Sequence, residues 1–298
     1  MSPQEPFVLL VNPSAGGGRT RELLPGVQAA MRDRGLAYRV VQTRTLEHGL
    51  DEAQAAAKAG EVPVVMSGDG LIGQVGGVLA GSETPLGVIP GGRGNDFARV
   101  MGIPTEPERA VDVLAAREQR LIDIGEVNGK RYVCVASCGF DSDANRIANE
   151  ARLVKGRLVY AYAALRAMAT WKPARFVITL DGERREFTGY SVAAANSKAF
   201  GGGMFIAPDA RLDDGELDVV YITQVGRLHY LLNLPKAFDG SHVRNEEVVV
   251  VRGRELTIEA DRPFAVYADG EHLSDLPATL RVLESALKVI APNGRPAT

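Results

Sequence analysis

Between Phe7 and Ile89, short apolar runs alternate with amphipathic stretches. The pattern predicts strands at Phe7 to Val11, Tyr38 to Gln42, Val62 to Met66 and Leu86 to Ile89. Between them fall a helical stretch running to Arg34 and an alanine-rich helix near Leu46 to Ala59. Strands that alternate with helices in this way imply a parallel sheet. Further on, Thr105 followed by Glu108 in TEPE has the spacing of a capping box and predicts a helix to about Ala116.

After Leu121 the pattern changes to a period of two. The stretch LIDIGEVNGKRYVCVAS is two alternating runs joined by Asn128 and Gly129, a pair suited to the left-handed residues of a tight hairpin. Hairpin-like signals recur at Asp181 and Gly182 and around Asp261. Short strands are expected at Phe176 to Leu180, Tyr190 to Ala195, Leu217 to Ile222, Glu247 to Val251, Leu256 to Glu259 and Phe264 to Tyr267. The second half therefore reads as mainly antiparallel β, with helical insertions at about Asn145 to Trp171 and Gly226 to Phe238. The boundary falls near Ile122, giving domains over 1–121 and 122–298, with the extreme C-terminus a candidate to pack back on the first.

The 298 residues, 45% hydrophobic and 24% charged, suit two medium domains of a soluble globular protein. A net charge of -3 gives no global case for nucleic acid, so an anionic partner would need a local basic patch. Cys134 and Cys138 lie four apart in an expected strand, on one face, and read as small buried core residues in a reducing compartment. The N-terminal stretch has no basic leader and no segment approaches the length of a membrane span, so a cytoplasmic location is expected.

Three glycine-rich loops follow expected strands in the first domain: NPSAGGG at 12–18, SGDG at 67–70 and PGGRGND at 90–96. In an open α/β sheet, loops at the carboxyl ends of the strands share one edge and converge on one crevice. Gly68, Gly70 and Gly73 match a dinucleotide fingerprint, but the acidic residue expected about twenty positions on is replaced by IPGGRGN. Asp69 would also set a negative charge beside a pyrophosphate. A bound Mg²⁺, or a substrate hydroxyl that must lose its proton, resolves that conflict and points to phosphoryl transfer. The GxxxxGK[ST] loop is absent, which excludes a P-loop enzyme.

VNPSAGGG, SGDGLIGQVGG, IPGGRGNDFAR, APDARLDDGELDV and ADGE occur here in the order found in the diacylglycerol kinase catalytic family, which this chain resembles over nearly its whole length. That family includes bacterial and eukaryotic diacylglycerol kinases and the sphingosine and ceramide kinases, within a superfamily shared with NAD kinases. The resemblance implies an α/β nucleotide-binding domain followed by a β-sandwich that carries the lipid site. It also implies ATP as donor, Mg²⁺ as cofactor and a lipid alcohol as acceptor. By motif, Asn12, Pro13, Ser14 and Gly16 would approach the nucleotide phosphates and Thr43 would face the nucleotide. Ser67, Gly68, Asp69 and Gly70 resemble the central phosphate and metal loop, with Asn95 and Asp96 as its companion. Glu271 sits where bacterial members carry a proton acceptor, with Asp269 beside it, and Asp69 is the other candidate base. Asp214 resembles the ligand of a structural Mg²⁺, helped by the backbone carbonyls of Arg211 and Glu216.

Three positions depart from the family pattern. Ser67 and Leu71 flank GDG where most bacterial diacylglycerol kinases read GGDGT, a form nearer the sphingosine and ceramide kinases. Arg93 stands in place of a threonine, where its guanidinium could bind phosphate or mark altered nucleotide use. Setting the resemblance aside, Asp96 could be a helix N-cap, and the DDG and DGE segments plain turns. FGGGMF at 200–205 reads as a loop permitting close backbone approach, with no chemistry assigned.

A basic segment holds Arg146, Arg152, Lys155, Arg157, Arg166, Lys172 and Arg175 against the single acid Glu150, with apolar residues interleaved. It reads as a solvated helix face or as a peripheral surface for anionic lipid headgroups, and the second is favoured on a chain that is acidic overall. The resulting expectation is an ATP- and Mg²⁺-dependent kinase making phosphatidic acid from diacylglycerol, cytoplasmic and peripherally membrane-associated, with no nucleic-acid partner. A sphingoid, ceramide or other lipid-alcohol acceptor is the alternative, as is a nucleotide- or lipid-binding module without catalysis; homodimerisation is left open.

Overall fold

The computed structural model describes residues 5–140, 142–143, 147, 162, 166–168 and 171–293. The chain divides into two compact units, Met1–Ile124 with Glu284–Thr298, and Gly125–Leu283.

The first unit is built on four parallel strands: β1 (Phe7–Val11), β2 (Tyr38–Gln42), β3 (Val62–Ser67) and β4 (Gly87–Pro90), in the order β2-β1-β3-β4. Leu9 lies opposite both Val40 and Val64, and Val65 opposite Val88. Every residue of β1, β3 and β4 is buried, as expected of parallel strands covered on both faces. The helices between them are α1 (Arg19–Asp33), α2 (Leu46–Lys58), α3 (Asp69–Leu79), α4 (Asp96–Met101) and α5 (Pro107–Ala116). Thr45 caps α2 by accepting the His48 amide at 3.1 Å. The expected capping box at Thr105 does not form. Glu106 precedes α5 without a side-chain cap, and Pro107, whose missing N–H costs nothing in the first turn, opens the helix. The end of the chain returns to this unit, where Leu86 donates to Lys288 O at 2.8 Å and Ile290 donates to Leu86 O at 2.9 Å.

The second unit is antiparallel throughout its described strands. β5 (Gln119–Val127) leads in from the first unit and β15 (Ala278–Ile290) leads back. Between them run β6 (Lys130–Tyr132), β7 (Val135–Gly139), β8 (Ala174–Leu180), β9 (Glu183–Ala195), β10 (Leu217–Thr223), β11 (Val248–Gly253), β12 (Glu255–Ala260), β13 (Ala265–Ala268) and β14 (Glu271–Asp275). The 13-residue β9 pairs with β7, β8 and β10. Three two-residue turns share one chemistry: Asn128–Gly129 (φ 48° and 83°), Asp181–Gly182 (49° and 88°) and Asp269–Gly270 (51° and 90°). Each sets a left-handed Asn or Asp before a glycine, and each joins paired strands.

The hairpin expected around Asp261 is absent. β12 pairs with β8 and β15, whereas β13 pairs with β7 and β14. Pro263 follows in that connection and has no N–H for a ladder. β14 and β15 are additions to the strands expected from the sequence. Cys138 lies within β7 while Cys134 precedes it, and both are buried without a disulfide. The helical insertion expected at 145–171 falls mostly outside the described residues. The one at 226–238 is present as helix α6 (Arg227–Asn233) and a 3-10 turn (Leu234–Phe238).

An aromatic group holds the core of this unit. Phe140 meets Trp171, Tyr190 and Tyr230 edge-on at 5.5, 6.3 and 5.0 Å between centroids, and Tyr230 stacks on Tyr190 at 4.2 Å. No described helix is long and apolar enough to cross a membrane.

Candidate functional site

The three glycine loops of the first unit meet at backbone distance. A side chain at Gly16 would place its Cβ 2.6 Å from Gly91 O, one at Gly92 would lie 2.5 Å from Gly68 Cα, and one at Gly91 would strike the Thr20 methyl at 2.3 Å. The Gly91 amide donates to Ser67 O at 2.8 Å. Glycine is therefore required here by contact between loops. At Gly17 and Gly18 the requirement is different: φ is 76° and 100°, and the space around a Cβ is open. The first loop is thus anchored on one side and open on the other, an arrangement suited to a phosphate approaching backbone N–H groups.

Asn12 closes its own turn, its Oδ1 accepting the Ser14 amide at 3.0 Å, and its carbonyl accepts the Thr20 hydroxyl. Thr20 is fully buried in the first turn of α1 and joins the first loop to the third. Sequence reasoning missed it, because a threonine after a glycine run reads as an ordinary helix start. Pro13 and Ser14 lie in the same turn, which leads into the 3-10 turn Ala15–Gly17. Thr43 is buried at the end of β2, with its hydroxyl 3.3 Å from Val11 O and its methyl against Gly49.

Asp69 opens α3, and its Oδ1 accepts the Phe97 amide of α4 at 3.1 Å. The carboxylate thus bridges the second and third loops. Burial raises its pKa, and the amides of Phe97, Asp96 and Asn95 oppose the rise. Asn95 is the residue preceding α4, at φ 54°, and its amide group clasps Gly92 through Gly92 N–H to Oδ1 at 2.8 Å and Nδ2–H to Gly92 O at 3.3 Å. Asp96 is the first helical residue of α4, not its cap, and is buried. Gly70 sits in the first turn of α3, and Ser67, buried, ends β3. Arg93 projects into solvent from the third loop.

The DGE segment of the second unit carries two carboxylates with different surroundings. Asp269 is buried, its Oδ2 accepting the Val133 amide at 2.7 Å and its Oδ1 those of Cys134 at 2.9 Å and Val135 at 3.3 Å. It holds the entry to β7. Glu271, two residues on, is exposed at the start of β14, and its carboxylate has no hydrogen-bond partner among the described residues. Nearby protein still desolvates its carboxyl enough to raise its pKa above that of an ordinary glutamate.

Asp214 faces a guanidinium. Arg252 pairs with Asp214, with Glu216 at 3.1 Å and with Asp218 at 3.6 Å. The other oxygen of Asp214 accepts the Glu216 amide at 3.3 Å, while Arg211 is turned to Asp213 at 3.1 Å. Among the described residues no group of three or more His, Cys, Asp or Glu side chains could hold a metal. The set expected to bind a structural Mg²⁺ is one side-chain carboxylate with two backbone carbonyls, and both oxygens of that carboxylate, Asp214, here serve protein donors. Arg252 lies thirty-eight positions from Asp214, and nothing in the DDGEL motif announces it. Asp218 is buried beside it. Burial lifts its pKa to about 6, Arg252 opposes the rise, and the neighbouring carboxylates of Asp214, Asp209 and Glu216 add to it.

Of the basic segment, Arg146, Arg152, Lys155 and Arg157 lie outside the described residues. Arg166 donates to the Tyr162 hydroxyl at 3.2 Å, and Arg175 pairs with Glu186 at 2.6 Å.

The likeness to known proteins extends over most of the chain. The family model of the diacylglycerol kinase catalytic domain matches residues 6–127, and that of the YegS C-terminal NAD kinase beta sandwich-like domain matches residues 134–291. The chain is 35% identical over 293 residues to a diacylglycerol kinase of Mycobacterium tuberculosis (strain ATCC 25618 / H37Rv), covering 95% of this chain and 94% of that protein. It is 27% identical to a diacylglycerol kinase of Bacillus subtilis (strain 168), with 80% of each covered. A crystal structure of a diacylglycerol kinase from Bacillus anthracis str. Sterne shares the fold, with a TM-score of 0.77 at 21% identity over 99% of this chain and all (100%) of that one.

Proposed function

The chain belongs to the diacylglycerol kinase catalytic family, and from that premise we propose that it transfers the γ-phosphoryl group of ATP to the free hydroxyl of diacylglycerol, giving phosphatidic acid. The donor is held by the first unit. Backbone N–H groups of the 12–18, 67–70 and 90–96 loops, with the N-termini of α3 and α4 behind two of them, meet the phosphate charge. The contacts among Gly16, Gly68, Gly91 and Gly92 support this, since they draw the three loops together while the space beside Gly17 and Gly18 stays open for a phosphate. Asp69 and Asp96 would hold the Mg²⁺ that comes with the nucleotide, and that ion would screen the phosphate charge.

Glu271 is the proton acceptor. As the alcohol oxygen forms its bond to phosphorus and the bond from phosphorus to the ADP oxygen breaks, the alcohol proton passes to the Glu271 carboxylate. The observation that carries this assignment is the contrast in commitment among the carboxylates. Asp269 serves three backbone amides and Asp69 the start of α4, whereas Glu271 has no described partner and a raised pKa. Asp269 then acts as a positioning residue that fixes the turn from which Glu271 projects.

A second acceptor class is favoured by Ser67 and Leu71, which bring the loop nearer the form that the resemblance associates with sphingosine and ceramide kinases. A relative from Pseudomonas aeruginosa (strain PAO1), 32% identical over 99% of this chain and 97% of its own length, bears the name "Probable lipid kinase YegS-like". Transfer of labelled γ-phosphate from ATP to a panel of diacylglycerol, ceramide and sphingoid bases in mixed micelles separates the acceptors. Product from diacylglycerol alone supports the first reading, and product only from a sphingoid base or ceramide replaces it with the second. ATP binding without product from any acceptor would favour a binding module.

A further inference from the structure

The three glycine loops of the first unit carry a single cationic side chain among them, that of Arg93. Its backbone is pinned on both sides. Gly92 is held by the Asn95 side chain, through its N–H at 2.8 Å and its carbonyl at 3.3 Å, and Gly94 O accepts the Arg99 Nε–H at 3.2 Å. The guanidinium itself is unengaged. Arg93 is exposed and its side chain has no hydrogen bond or ion pair among the described residues, although Asp69 and Asp96 belong to the same loops. Asp96 is buried, and Asp69 is turned to the amides of Asn95, Asp96 and Phe97. A fixed Cα that bears a free fork of donors is arranged for an anion arriving from outside the fold.

Arg19 repeats the pattern from the first loop. It opens α1, where the helix dipole disfavours a cation, and it is exposed without a partner among the described residues. A Cβ at Gly16 would meet both Gly91 O at 2.6 Å and Arg19 Cβ at 3.2 Å, so contact between the loops brings Arg19 to the loop that bears Arg93. Arg21 and Glu22, of opposite sign, follow in the first turns of α1, and Arg99 is spent on Gly94. The place of Asp69 fixes which end of a nucleotide Arg93 would meet. That carboxylate is one of the two that would hold Mg²⁺, an ion that bridges the outer phosphates, and it sits at the amides of 95–97. The loop that bears Arg93 therefore stands at the outer end of the phosphate chain.

We propose that Arg93 reads the length of the donor's phosphate chain: its guanidinium folds onto the terminal phosphate of ATP, which ADP lacks, and Arg19 adds charge at the same edge. This specificity rests on the reading of the glycine loops as the ATP site, and names the side chain that would make that site prefer a triphosphate.

Calorimetric titration of the full chain with ATP and with ADP, each with Mg²⁺, tests the assignment. Arg93→Gln should weaken ATP binding at least about tenfold and leave ADP within about twofold of wild type, because charge-assisted bonds are lost to the terminal phosphate alone. Arg93→Lys should recover part of the loss, since an ammonium supplies the charge without the fork. Arg19→Gln should weaken ATP by roughly two- to fivefold, and by less as salt is raised. Thermal unfolding of Arg93→Gln should match wild type, because its side chain is exposed and bonds to nothing in the fold. Unchanged ATP affinity in Arg93→Gln overturns the proposal. So does an equal loss of ATP and ADP, which would put Arg93 on the inner phosphates or the nucleoside, or, with a lowered Tm, in the fold. A wild type that binds neither nucleotide counts against the kinase reading itself. A wild type that binds both, matched by Arg93→Gln, sinks the role of Arg93 and leaves that reading standing.

Discussion

The glycine loops of the first unit and the acid-bearing turns of the second are both written in short polar motifs, yet they work by different physics. In the first, the backbone acts, and side chains are excluded by contact: Gly16 against Gly91, Gly92 against Gly68. In the second, side-chain carboxylates act, and the role of each depends on what surrounds it. Asp269 and Glu271 flank one glycine, but the first is consumed by the fold, while the carboxylate of the second is exposed and is the one proposed for chemistry. A glycine motif therefore reveals its purpose in sequence more readily than a carboxylate does, since a close approach excludes every other residue while an aspartate suits a turn, a cap, an ion pair or a base.

That contrast can be broken at several points. Asp269→Ala leaves three backbone amides of 133–135 without their acceptor and should destabilise the second unit by about 4 kcal/mol or more. Denaturant unfolding checks it, and a loss below about 1 kcal/mol would mean that Asp269 is not structural. Gly92→Ala forces the second and third loops apart, because its Cβ would sit 2.5 Å from Gly68 Cα. Nucleotide affinity by calorimetry should fall at least about tenfold, given how steeply function follows small displacements of positioning groups. Affinity equal to wild type would remove the loops from the nucleotide site.

Asp218 offers a smaller effect with a defined pH window. Its folded pKa of about 6 lies above the ordinary 3.8, so the native state holds a proton there that the unfolded chain has already released. The stability this contributes is full below the unfolded value and is lost as pH rises through about 6, roughly 3 kcal/mol over the whole span. Asp218→Asn should flatten stability between about pH 4 and pH 7, and a variant with the wild-type slope would contradict the assignment. Smallest of all is the effect expected from metal removal. With Arg252 facing Asp214, Glu216 and Asp218, chelation should leave the wild-type Tm unchanged, while Arg252→Ala should lower it by about 2–4 °C and make it rise again with added Mg²⁺. A wild type whose Tm falls on chelation would favour a cation at Asp214 over the Arg252 pairing.

The parallel half of the molecule was largely legible in the sequence, because strands of FVLLV or VPVVMS type are nearly all apolar and lead into a glycine loop. The DG and NG turns were equally plain, since few residues other than Asn, Asp and Gly tolerate those dihedrals. The long strand β15 was not. In ATLRVLESALKVI the apolar residues fit a period of two in places and of three to four in others, and pairing with distant strands decides between them. The partners of Asp69 and Asp214 were hidden for a related reason. A carboxylate advertises a need for donors, but Phe97 N–H and the Arg252 guanidinium are supplied by segments far along the chain.

The most direct measurement is phosphate transfer from ATP to diacylglycerol by wild type, Glu271→Gln and Asp269→Asn, each with its thermal unfolding curve. Glu271→Gln should unfold as wild type does and lose about 10²- to 10⁴-fold in kcat, while Asp269→Asn should lose stability first and activity only as a consequence. A Glu271→Gln protein that transfers phosphate at the wild-type rate would contradict the assignment of Glu271 as the proton acceptor.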